Sequence, residues 1–225
     1  VIPGVEINTD ALGNEVHILG YFIDWQSPDL GALLERLRSQ RVTRAQRMVE
    51  RLQALGVRVT WPEVQALAGG GAVGRPHVAR ALVASGVVAS VAEAFERFLA
   101  RGAPAYVPRA ELTPREAVEA VRRSGGVPVL AHPGWARSAP AVAHVEELVG
   151  YGLCGIEAYY PDHTPAMVSQ YVDIARRYGL IVTGGTDFHG GGIATRVPPG
   201  SLPLPPDVVP ALRRRWESLR AGAGS

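Results

Sequence analysis

Apolar and polar positions change spacing along the chain, and each change predicts a different element. Residues 1–24 carry short apolar runs broken by single polar side chains, Val5-Glu6-Ile7 and Val16-His17-Ile18-Leu19-Gly20-Tyr21-Phe22. Between them, residues 8–14 are rich in Asn, Asp and Gly, so two strands joined by a turn are predicted. From residue 30 to residue 55 the apolar positions Leu33, Leu34, Leu37, Val42, Met48, Val49, Leu52 and Leu55 recur at three- and four-residue steps, which is helical spacing. Thr60 is predicted to cap a second helix, with Pro62 in its first turn and Glu63 in the reciprocal position, and Gly69-Gly70-Gly71 to end it. Short helices are expected at residues 76–85 and 91–100. Residues 30–100 therefore read as a helical subdomain inserted between strands.

From Ala105 the pattern becomes alternating α/β. Thr113-Pro114-Arg115-Glu116 is a full capping signature for a helix to residue 124. A strand at 127–131, a helix near 141–150, a strand at 154–159, a helix from Thr164-Pro165 to residue 178, a strand at 180–184 and a last helix at 206–220 follow. Short connections between alternating helices and strands imply parallel strands with right-handed crossovers. Candidate ligands at the ends of successive strands favour a barrel over an open sheet.

Composition narrows the class. The chain has 225 residues and a net charge of +2, enough to bury a full core and too little charge for a nucleic-acid field over the whole surface. All 23 Lys+Arg positions are arginine, a bias that a GC-rich genome explains more simply than function does, although a cation that grips phosphate bidentately also suits a phosphate ligand. No apolar run is long enough to span a membrane and no signal peptide opens the sequence. The single cysteine, Cys154, reads as a small buried hydrophobe; it excludes Cys₄ zinc and an internal disulfide and favours a cytoplasmic setting. Val1-Ile2-Pro3-Gly4-Val5 reads as the middle of a strand, so the sequence is expected to begin inside a domain.

The sharpest chemistry lies in Thr186-Asp187-Phe188-His189-Gly190, where Asp187 and His189 follow a strand and are flanked by glycines on both sides. Two residues apart at a strand mouth, they can turn onto one metal ion. His132, in Ala131-His132-Pro133, repeats the arrangement. Glu6 interrupts an apolar strand, a costly position unless the carboxylate is paired or metal-bound. His17, taken alone, reads as a satisfied core histidine. Gly74-Arg75-Pro76-His77 opens a helix, and Arg75 and His77 with the helix-end amides suit a phosphate, although a well-capped surface helix has the same pattern. His163 is divided between site and loop. Glu157 reads as weak support for the site, His144 as a surface residue, and Arg137 and Arg196 as near the ligand loops with nothing to fix them there.

These residues together resemble a known family. Pro3-Gly4-Val5-Glu6-Ile7, Val16-His17-Ile18-Leu19-Gly20-Tyr21, Gly74-Arg75-Pro76-His77, Ala131-His132-Pro133, Gly155-Ile156-Glu157-Ala158-Tyr159-Tyr160 and Gly185-Thr186-Asp187-Phe188-His189-Gly190 are similar, in order, to the PHP (polymerase and histidinol phosphatase) superfamily. The branch resembled is that of stand-alone bacterial metal-dependent phosphoesterases, which includes nucleoside 3′,5′-bisphosphate and AMP phosphatases and 5′–3′ exoribonucleases. The resemblance implies a distorted (β/α)7 TIM-like barrel with an inserted helical subdomain and a centre of two or three divalent metals. It implies Glu6, His17, His132, Asp187 and His189 as ligands, with Arg75 and His77 toward substrate, and it moves His17 from the core to the metal; His163 is taken toward substrate from its position at a strand end beside a helix start. Asp187, His189 and Arg75 would carry catalysis. Family members begin with a His-x-His strand followed by an Asp, and a further His precedes the Pro-Gly-x-Glu motif; these are not in this sequence. About two βα units of ~30 residues each are therefore expected before Val1, and the chain alone is expected to be inactive or nearly so. The barrel would occupy residues 1–29 and 101–225, lacking its first strands.

The implied reaction is hydrolysis of phosphate esters of nucleotides or short RNA by a metal-activated hydroxide. Imidazole with carboxylate suits Mn²⁺, Zn²⁺ or Fe²⁺ better than Mg²⁺. The expected partner is a phosphorylated nucleotide or short RNA, with no membrane and no obligate protein partner. A histidinol-phosphate phosphatase-like enzyme and a non-catalytic nucleotide- or RNA-binding module are the alternatives; a DNA-polymerase module is disfavoured.

Overall fold

The alternation in residues 4–21 builds the hairpin on which the rest of the sheet forms. In the computed structural model, which describes all residues except 12–13, 72, 109–111, 135–143, 189–196 and 223–225, β1 (Gly4–Ala11) pairs antiparallel with β2 (Asn14–Tyr21). Ile7 lies opposite Ile18, and both are buried. Glu6 lies opposite Leu19, so it shares the other face with His17, two residues along β2. The stretch from residue 8, expected to be a turn, instead continues β1 to Ala11. The Asn8 amide donates to Glu15 Oε1 at 3.3 Å, and the buried Thr9 hydroxyl donates to the Val16 carbonyl at 2.6 Å. The strand pair thus satisfies groups that otherwise form turns.

β2 pairs antiparallel with β3 (Val127–Leu130); β4 (Gly155–Tyr159) and β5 (Ile181–Gly184) extend the sheet in parallel, giving the order β1-β2-β3-β4-β5. β3, antiparallel to β2 and parallel to β4, is buried throughout, as a strand covered on both faces must be. On one face, α5 (Pro114–Arg123) packs against β1, β2 and β3. Gly20 permits the approach, since a Cβ there would stand 2.8 Å from a Val121 methyl. α6 (Val145–Gly150) and α7 (Pro165–Tyr178) make the two parallel crossovers, and α7 covers β4 and β5. On the other face, α8 (Val208–Gly222) sets Leu212, Trp216 and Leu219 against Val127, Val129, Leu19 and the buried Cys154.

The chain divides into two compact units, Val1–Gly31 with Glu111–Ser225, and Ala32–Ala110. α1 (Pro28–Ala54), α2 (Trp61–Ala68), α3 (Arg75–Ala84) and α4 (Val91–Ala94) account for the helices expected over residues 30–100. α4 continues as a π-helical turn over Phe95–Leu99, closed by the Ala100 N–H on the Phe95 carbonyl at 2.7 Å. The second unit's core is formed by Met48, Leu52, Val64, Val78, Leu82 and Leu99, each wholly enclosed, and each such side chain contributes about 2–3 kcal/mol of transfer free energy. Ala105 and Val107, placed in the barrel by the sequence reading, join this core instead; Arg44 Nε donates to the Val107 carbonyl at 2.7 Å. Among the described residues no helix is long and apolar enough to cross a membrane.

Candidate metal centre

Glu6 reaches the centre because β1 alternates. With Ile7 turned into the core, its neighbour must face the opposite side, where His17 of β2 also points. His132 arrives from the end of β3, where the Ala131 N–H still bonds the His17 carbonyl at 3.0 Å and so holds the two strands in register. Glu6 Oε1 lies 2.7 Å from His17 Nδ1 and 3.3 Å from His132 Nε2, and the two imidazole nitrogens are 3.3 Å apart. All three potential ligand atoms fall within 4.8 Å of one another. An oxygen and two imidazole nitrogens converging on one point, in a half-buried to buried setting, match the donor set of a divalent cation.

The electrostatics of the cluster are strongly coupled. Burial favours a neutral Glu6, but hydrogen bonds from His132 and His17, with their charges, outweigh it and hold the carboxyl well below the usual carboxylate range. Burial opposes an imidazolium at His17, yet the Glu15 and Glu6 carboxylates raise it above the ordinary histidine value. His17 Nε2 faces Glu15 Oε1 at 3.2 Å. A carboxylate on the far ring nitrogen is what orients metal-binding histidines. Glu157, on β4, accepts the His132 backbone N–H at 2.9 Å. Its carboxyl is pushed up to about 7, mainly by burial, with the charges of Asp187 and Glu6 adding to the effect.

Asp187 follows β5 with φ +51°, a left-handed conformation that is uncommon outside glycine. Its Oδ2 accepts the Tyr160 hydroxyl at 3.2 Å, and its charge reaches Glu157, which also feels Glu6. His189, expected as its partner ligand, lies outside the described residues, as do Arg137 and Arg196. In the helical unit, Arg75 sits at the start of α3 with its guanidinium over the Phe95 ring at 5.6 Å. His77 Nδ1 accepts the Gly74 N–H at 3.1 Å, closing the first turn. His163, expected toward substrate, follows the end of β4. It is buried, its Nδ1–H donates to the Ala158 carbonyl at 2.8 Å, and its Nε2 accepts the Gly134 N–H at 3.3 Å. Both ring nitrogens are thus engaged by backbone, and the ring braces the turn after His132.

Two members of this constellation went unread in the sequence, Glu15 and Tyr160. Glu15 stands two residues before His17, hence on the same strand face, and that period was the available signal. Tyr160 carried only its position at the end of a strand.

Sheet and convergent donors together define the molecule as an α/β protein of the metal-dependent phosphoesterase type. No family model matches the chain, but individual relatives do. The 5′-3′ exoribonuclease Rnm of Escherichia coli is 37% identical over 196 residues, covering 84% of this chain and 65% of the relative. The 3′,5′-nucleoside bisphosphate phosphatase of Chromobacterium violaceum is 31% identical over 233 residues, covering 98% of this chain and 77% of the relative. A crystal structure from Bifidobacterium adolescentis, provisionally classed as a metal-dependent phosphoesterase, superposes with a TM-score of 0.84 at 30% identity, over 95% of this chain and 76% of that one. The chain belongs to the PHP superfamily, among its bacterial metal-dependent phosphoesterases. It spans about 65% of the length of the exoribonuclease relatives it matches.

Proposed function

We propose that this chain is a metal-dependent phosphoesterase acting on phosphate esters of nucleotides or short RNA. The observation that carries the reading is the convergence of Glu6, His17 and His132, whose ligand atoms all lie within 4.8 Å of one another. The substrate class is supported by relatives whose names specify a nucleoside bisphosphate in one case and RNA in another. Both substrates offer a phosphate ester on a ribose.

Under this reading the five strands belong to a distorted (β/α)7 barrel, and Glu6, His17, His132, Asp187 and His189 hold two or three divalent cations. The mixed imidazole and carboxylate set suits Mn²⁺, Zn²⁺ or Fe²⁺. Bound there, such cations supply Lewis-acid activation of water and neutralise phosphate charge. The chain's own groups do the rest. Glu6 remains ionised and shares one oxygen between two imidazoles. Glu15 orients His17, and Glu157 anchors the backbone of His132. Arg75 and His77 are assigned to phosphate binding by their chemistry, since a guanidinium and a helix start both donate hydrogen bonds to anionic oxygen.

Calorimetric titration of Mn²⁺ into the 225-residue chain tests the metal centre, and phosphate release from adenosine 3′,5′-bisphosphate or mononucleotide release from a 5′-phosphorylated RNA tetramer tests the chemistry. Saturable Mn²⁺ binding is expected, weakened at least about 100-fold in Glu6→Gln, because the cost of losing a direct ligand should exceed the 10–100-fold cost of losing an outer partner. Equal affinity in wild type and Glu6→Gln would remove Glu6 from the site and the reading with it.

A further inference from the structure

Tyr160 touches candidate ligands from two different strand ends. It follows β4 directly and is 7% exposed. Its ring lies 5.2 Å from the His132 ring at 45°, and its hydroxyl donates to Asp187 Oδ2 at 3.2 Å. On its other side is His163, with ring centroids 5.1 Å apart at 51°, and behind that Tyr171 of α7 at 5.0 Å and 62°. The ring is therefore packed between His132 and His163, and restricted in its rotamers.

The support behind Tyr160 is itself fixed. His163 is held at both nitrogens by the Ala158 carbonyl and the Gly134 amide. Gly134 packs so closely on this group that a Cβ there would stand 2.9 Å from the His163 ring and 2.1 Å from the Met167 methyl. Thus one buried column runs from α7 through His163 to Tyr160 and ends on His132 and Asp187.

We propose that Tyr160 is a positioning residue for the metal centre, holding the Asp187 carboxylate and the His132 ring at a fixed separation beside the donors of Glu6 and His17. The proposal rests on the metal-centre reading above and adds to it a residue that binds no cation itself. Outer groups that orient ligands typically change metal affinity about 10–100-fold. Tyr160→Phe keeps the ring and deletes only the hydroxyl, so the column remains packed.

The experiment is a double-mutant cycle read by Mn²⁺ titration calorimetry on wild type, Tyr160→Phe, Asp187→Ala and the double variant, with the melting temperature of each in EDTA. The expected result is an affinity about 10-fold weaker in Tyr160→Phe with a wild-type melting temperature in EDTA. Asp187→Ala should lose more, and adding Tyr160→Phe to it should cost nothing further, since the hydroxyl acts through Asp187. Unchanged Mn²⁺ affinity in Tyr160→Phe, or a loss that simply adds to that of Asp187→Ala, overturns the proposal while leaving the metal centre standing. Absence of Mn²⁺ binding in the wild type overturns both.

Discussion

His163 shows how backbone groups can hold both nitrogens of a buried ring beside a candidate site. Its ring donates to a carbonyl through Nδ1 and accepts an amide through Nε2, which only the neutral tautomer can do. Burial, the largest cause, holds its pKa below the ordinary imidazole value. A base with a lowered folded pKa takes up fewer protons in the folded state than in the unfolded one. Stability from this group is therefore intact above about pH 6.5, the free imidazole value, and is lost as the pH falls below it. Replacing His163 by Asn retains a donor for the Ala158 carbonyl and removes the titration. The melting temperature of His163→Asn, followed from pH 7.5 to pH 5.5, is expected to fall less than that of the wild type; parallel curves would show that His163 does not set this dependence. The same residue marks the reach of sequence reading. A histidine beside a Pro at a strand end has the composition of a substrate contact, and nothing in that linear pattern announces the backbone partners brought in from Ala158 and Gly134.

Individual elements were more legible than their irregularities. Capping chemistry is local, so Thr113 and Glu116 announced α5 correctly: the Thr113 hydroxyl accepts the Glu116 N–H at 3.2 Å, and the Glu116 carboxylate accepts the Thr113 N–H at 2.8 Å. α5 packs on β1, β2 and β3, so weakening its start loosens the layer behind the candidate ligands. Thr113→Ala should destabilise the protein by about 1 kcal/mol, measured by urea denaturation, with Mn²⁺ affinity unchanged. The extension of β1 through Asn8 and Thr9 was hidden because cross-strand hydrogen bonds to Glu15 and Val16 turn apparent turn formers into strand residues. The π-helical turn at Phe95–Leu99 was hidden for a comparable reason, since its apolar spacing differs little from that of an ordinary helix.

At the scale of the molecule, the chemistry of the site was visible before its assembly. Glu6, His132 and Asp187 stood out as polar residues in or after apolar strands. Nothing in a linear pattern states that residues 126 positions apart, Glu6 and His132, place oxygen and nitrogen 3.3 Å from each other. That follows from the order of the five strands and from the register that sets Ile18 opposite Leu130. If a cation binds at this meeting point, it binds the folded state alone, and mass action stabilises the fold by about 2.7 kcal/mol at a free concentration 100 times Kd. Mn²⁺ should accordingly raise the melting temperature, EDTA should reverse the rise, and Glu6→Gln should show neither effect. A rise that survives Glu6→Gln would locate the stabilising cation elsewhere.

The hairpin register also acts as a proofreader. Were β1 to slip by one residue against β2, Ile7 would exchange sides with Glu6. A carboxylate would then be driven into the hydrocarbon layer around Ile18, far from any imidazole, at a penalty of several kcal/mol. Misaligned hairpins are thereby rejected by the same side chain that the aligned one delivers to His17, so pairing of the first two strands already brings two of the three donors together.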